Sequence, residues 1–96
     1  MAILGIVNKQ PREVIDFDIS YANALAGRTS TLATAMSEVS PTGLTLVDTI
    51  IVSATKKTKV IISGGTTGTT YKVTVLTSTD DGLTLEDEVT VIVEEV

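Results

Sequence analysis

Val, Ile and Thr together make up roughly 40% of this 96-residue chain. Branching at Cβ restricts χ1 and suits a pleated strand better than a helix. The constraint sharpens where these residues alternate with polar ones. In the run from Tyr71 to Leu76, Tyr71, Val73 and Val75 fall on one side, and Lys72, Thr74 and Leu76 on the other. Val89, Val91 and Val93 repeat the pattern, and so does the segment Glu13–Ile19, with Ile15, Phe17 and Ile19 facing one way. Period-2 alternation of this kind reads as half-buried strands.

Turn signals punctuate the strands. Pro41-Thr42-Gly43, the loop at Lys56-Lys57, Gly64–Gly68 and Asp80-Asp81-Gly82 divide the chain into about seven strands, spaced as in a β-sandwich. The expected fold is an all-β, antiparallel sandwich of immunoglobulin-like or fibronectin III-like type. Residues 11–96 form the domain, and residues 1–10 form an N-terminal arm or edge strand. Ser20 to Gly27 reads as a single helical turn, capped by Ser20 and ended by Gly27. The run Thr29–Val39 leaves two registers open: Ala33, Ala35 and Val39 inward, or Leu32 and Met36 inward. The strand beginning at Leu44 reads as broken or kinked near Asp48.

Composition removes several functional classes. The chain has no Cys and no His, which excludes disulfides, soft-metal sites and imidazole catalysis. Its net charge of −5 argues against nucleic acid as a partner. Met1–Val7 is apolar but too short to cross a bilayer, and it lacks the basic start of a signal peptide. The expectation is a cytoplasmically made chain, with no membrane segment, no cofactor and no enzymatic activity.

Three motifs need weighing. Gly64-Gly65-Thr66-Thr67-Gly68 superficially resembles a phosphate loop, yet no Lys precedes Thr69 and a strand follows, so the glycines read as positive-φ turn residues. Gly68-Thr69-Thr70-Tyr71-Lys72-Val73 reads as the approach to a tyrosine corner, with the Tyr71 hydroxyl returned to upstream backbone. Asp80, Asp81, Glu86, Asp87 and Glu88 lack the spacing of a calcium loop and read as a solvated, aggregation-resistant edge, although a weak calcium site there stays open.

Two stretches carry a family likeness. Pro11-Arg12-Glu13-Val14-Ile15-Asp16-Phe17-Asp18-Ile19-Ser20-Tyr21-Ala22-Asn23-Ala24-Leu25-Ala26-Gly27 and Ile61-Ile62-Ser63-Gly64-Gly65-Thr66-Thr67-Gly68-Thr69-Thr70-Tyr71-Lys72-Val73-Thr74 resemble small phage virion proteins of the fibre–tail adaptor kind. Pro41–Leu46 and the turn Thr77–Gly82 fit the same pattern. Unlike the family, the chain has no Trp, which leaves Tyr21 as the aromatic of its first turn. The resemblance implies a non-enzymatic virion component, either a tail–fibre adaptor or a capsid decoration protein. Its partners would be other tail, fibre or capsid subunits, met as multiple copies in a symmetric assembly. A carbohydrate-binding or cell-surface adhesion module is the alternative.

The expected partner-binding residues are Ile3, Leu4, Ile6 and Val7 of the arm, together with Tyr21. An apolar extended segment can add a strand to a neighbour's sheet. Phe17, the only Phe of the chain, reads as the main core anchor. On that reading Phe17→Ala costs about 3–5 kcal/mol in chemical denaturation.

Overall fold

A computed structural model of the chain describes residues 2–21, 31–52 and 56–95. Seven strands are present: β1 (Ala2–Lys9), β2 (Ile15–Ser20), β3 (Leu32–Ser40), β4 (Leu44–Val52), β5 (Lys57–Gly64), β6 (Thr69–Thr79) and β7 (Thr84–Val93). No helix occurs among the described residues. The expected helical turn falls mostly on residues 22–30, outside them.

The strands form two sheets, a four-stranded one in the order β1-β7-β6-β3 and a three-stranded one in the order β2-β5-β4. All neighbours are antiparallel except one pair. β1 runs parallel to β7, with Ile6 opposite Thr90 and Lys9 opposite Val93. The expectation of a wholly antiparallel sandwich is corrected here. Nearly the whole chain separates β1 from β7, so no hairpin dictates their relative direction.

Alternation decides which face is buried. The inward rows Tyr71-Val73-Val75 of β6 and Val89-Val91-Val93 of β7 are all at most 5% exposed. They pack against Ile19, Val60 and Ile62 of the smaller sheet. Ile15 and Phe17 are only half-buried at the margin of this core, because β2 is a terminal strand and nothing flanks it on one side. Phe17 is therefore not the main anchor. Tyr71 and Tyr21, at 1% and 2% exposure, are the two aromatic side chains that the core encloses.

Bulges settle the strands whose alternation was ambiguous. In β3 the pairing shifts between Leu32 and Thr34, which inserts Ala33 as an extra residue. Leu32 is buried before the bulge, and Ala35, Ser37 and Val39 turn inward after it. Each of the two candidate registers thus holds for one part of the strand. In β4 the shift lies between Leu46 and Asp48, at the expected kink, and it leaves Val47 52% exposed. An extra residue in one strand reverses the facing of everything beyond it.

The loop from Gly65 to Gly68 joins β5 to β6 and leads into a strand rather than a helix. Its backbone requires glycine at position 65, where φ is +99° and an added Cβ would lie 2.7 Å from Val93 Cγ2. The Thr66 amide donates to the Tyr71 hydroxyl at 2.9 Å, which closes the loop as the tyrosine corner expected from the sequence. That donated bond also draws the Tyr71 phenol below its ordinary pKa.

Ile62 is fully buried, whereas Phe17 keeps part of its surface in water. Ile62→Ala should therefore cost about 2–5 kcal/mol in urea denaturation, and Phe17→Ala no more than about 2–3 kcal/mol despite the larger side chain. A larger loss for Phe17→Ala than for Ile62→Ala would show that the core is centred on β2.

Candidate docking edges

β1 forms one margin of the four-stranded sheet, and among the described residues it pairs with β7 alone. Ile3 stands opposite Glu88, and Leu4 is the extra residue of a bulge between Ile3 and Gly5. Ile6 is 65% exposed, while Val7 is half-buried against the core. The four expected arm residues thus share one sheet edge, with Ile6 offered to solvent and Val7 turned inward.

The strand is tied at its C-terminal end. Lys9 is only 2% exposed, and its Nζ donates to the carbonyls of Gln10 (2.7 Å), Pro11 (3.4 Å) and Gly64 (2.7 Å). Three acceptors use all three ammonium hydrogens. Gly64 ends β5 of the other sheet, so this side chain clamps the two sheets together. Burial lowers the Lys9 pKa, opposed by the Glu13 carboxylate. Glu13 itself caps the following turn, accepting from the Gln10 amide at 2.7 Å. The cleft beside this clamp, about 340 Å³, is lined by Asn8, Lys9, Gln10, Glu13 and Glu94. Because all the Lys9 hydrogens are engaged, the cleft presents no free amine.

Tyr21, expected to contact a partner at the surface, lies inside the molecule. Its hydroxyl shares a 2.9 Å hydrogen bond with Thr77 Oγ1, which in turn lies 3.1 Å from Thr58 Oγ1. Thr58 and Thr77 are fully buried and belong to opposite sheets, so this trio is a second polar tie across the sandwich. Burial is also why the Tyr21 pKa is raised. The trio was hidden in the sequence because threonine suits either face of a strand. Thr77 nonetheless sits on the inward parity of Tyr71, Val73 and Val75.

The acidic stretch does not converge. Asp80 accepts from the Thr31 amide at 3.0 Å, and Asp81 accepts from Thr79 Oγ1 at 2.5 Å within the hairpin. Glu86 and Glu88 share the outward parity of β7, whereas Asp87 falls on the inward parity of Val89 and Val91. Burial raises the Asp87 pKa above the ordinary 3.8, opposed by the polar influence of the Tyr21 hydroxyl. No group of three or more metal-ligating side chains forms among the described residues.

Among the described residues, β1 and β3 end the four-stranded sheet with no further strand beside them. The model of the podophage GP4 fibre-tail adaptor protein gp77 family matches residues 9–92. The chain belongs to this family. The match begins at the Lys9 clamp and runs into β7, so β1 before Lys9 lies outside it. No curated protein matches the chain.

A protonated Asp87 is favoured in the fold, because its folded-state pKa is raised. Between that raised value and 3.8, the native state holds a proton that the unfolded chain has released, so lowering the pH adds stability across this window. Thermal unfolding followed from neutral pH downward should show this gain. Asp87→Asn should be more stable than the parent at neutral pH, and the difference should close on acidification. A difference independent of pH would remove Asp87 as its source.

Proposed function

We propose that this chain is a non-enzymatic virion protein that joins tail and fibre components of a podophage. In this reading the β1 edge, through Ile3, Leu4, Ile6 and Val7, is the docking element for one neighbour. The observation that carries it is the coincidence of an adaptor-family sequence with a sheet whose margin strand exposes Ile6. The strand order supports an immunoglobulin-like assignment, since β2-β5-β4 and β7-β6-β3 correspond to the B-E-D and G-F-C sheets of a constant-type domain.

The family description favours the tail over the capsid as the point of attachment. A sugar-binding role loses its platform, because Tyr21 and Tyr71 are buried and Phe17 is half-buried, and these are all the aromatics of the chain. With few large anchors exposed, affinity would come from repetition of modest contacts in a symmetric assembly of many copies.

Ile6→Lys tests the docking edge with little effect on the fold, since the side chain is already in water. Its thermal unfolding should match the parent within about 0.5 kcal/mol. Mass spectrometry of purified virions should find the variant depleted and fibre attachment reduced. Normal incorporation of Ile6→Lys would count against β1 as the contact. Absence of the parent protein from virions would sink the adaptor reading itself.

A further inference from the structure

We propose that the opposite margin of the same sheet, the edge of β3 that bears no further strand among the described residues, docks an extended basic segment of a second protein together with the outer face beside it. This supplies the second contact that an adaptor needs, and it rests on the adaptor reading above.

The geometry comes first. β3 is the other terminal strand of the four-stranded sheet. Beyond its bulge it keeps a regular register with β6 for seven residues, from Thr34 opposite Ser78 to Ser40 opposite Lys72. A terminal strand leaves one row of backbone donors and acceptors without a sheet partner, a template for strand addition. Variable-type immunoglobulin domains place additional strands next to the strand equivalent to β3, so a sandwich of this order accepts a strand there. The edge is also held firm, because Ser37 Oγ bonds Thr49 Oγ1 of β4 at 2.7 Å.

The chemistry of the surface selects the occupant. Met36 is 58% exposed and stands opposite Leu76 on the outer face. Around this apolar pair the ladder sets three carboxylates. Glu38 and Glu88 flank Thr74 on either side, and Glu86 stands opposite Leu76. One cation shares this face: Lys72, opposite Ser40 and two residues before Thr74, lines a cleft with Glu38, which leaves three carboxylates against a single ammonium. An apolar centre ringed by acids complements a strand that alternates apolar residues with Lys or Arg.

A second copy of this chain fits poorly. Among the described residues the edge strands carry Asp16 and Asp18 on β2, Glu38 on β3 and Asp48 on β4. The single edge cation, Lys9 of β1, is buried and committed to three carbonyls. No edge of a copy has a free positive charge to set against Glu38.

The test titrates the isotope-labelled full chain with the peptide acetyl-Lys-Val-Lys-Val-Lys-Val-amide, and with the same peptide N-methylated at alternate positions. Amide shifts should concentrate on Thr34–Ser40. The N-methylated peptide and the Glu38→Lys variant should each bind at least roughly tenfold more weakly. Shifts centred elsewhere, or equal binding of the N-methylated peptide, would overturn the proposal as mere charge attraction. So would self-association of the free protein through β3, which would make a second copy the occupant. In virions, loss of fibre attachment by Glu38→Lys with its fold intact supports the site. Normal attachment overturns it while leaving the adaptor reading standing, since that reading fails only if the parent protein is absent from particles.

Discussion

The interdigitation of two inward rows, Tyr71-Val73-Val75 and Val89-Val91-Val93, with Val60 and Ile62 is the constraint on which everything else in this molecule depends. These side chains are buried almost completely, and they belong to the central strands of both sheets. Apart from Tyr71 they are short and branched, so each occupies few rotamers and loses little entropy on burial. A core of this kind supplies less contact area per residue than an aromatic one. The fold compensates with long strands, up to 11 residues in β6, that extend the same contact along the sandwich.

Two polar ties complete what the valines leave open. Near one end, the buried Lys9 ammonium gathers carbonyls from its own loop and from Gly64 of the other sheet. Nearer the opposite end, Thr58, Thr77 and Tyr21 bridge the sheets through hydroxyls. Both are fully satisfied, and no described buried side-chain donor or acceptor lacks a partner. Satisfied polar groups inside an apolar core specify one arrangement of the sheets, because any slip would strand them without partners. A docking protein benefits from this, since a rigid edge loses little freedom when a partner arrives.

The proposed function rests on the margins. Among the described residues, the exposed large hydrophobic ones are Ile6 on β1, Val14 just before β2, Met36 on β3, and Val47 and Ile50 on β4. None lies on the central strands β5, β6 or β7. Apart from Lys9, the strand cations are confined to β5 and β6, as Lys57, Lys59 and Lys72. Apolar and acidic margins around a closed core are what the proposed edge-on docking to tail and fibre components would use.

Much of this was readable in the residues. The alternation of β6 and β7, the glycine turn before Tyr71, the tyrosine corner and the kink near Asp48 are local, and local patterns survive without knowledge of the fold. The family likeness was readable too, because the Ser63–Thr74 stretch carries turn chemistry that tolerates few substitutes. Other features depended on neighbours remote in the chain. Phe17 looked like an anchor until β2 proved to be a terminal strand, and Tyr21 looked like a surface aromatic until Thr77 and Thr58 closed around it. Lys9 gave no sign that three carbonyls would enclose it. The parallel course of β1 beside β7 is decided by packing alone, since no turn joins them. The sequence by itself determined which residues alternate and where the chain turns, because those depend on side-chain shape and backbone sterics within a few residues. Only the tertiary structure decided which strands became margins, and therefore which carboxylates and apolar side chains lie on them, because strand order is set by contacts between segments far apart in the chain.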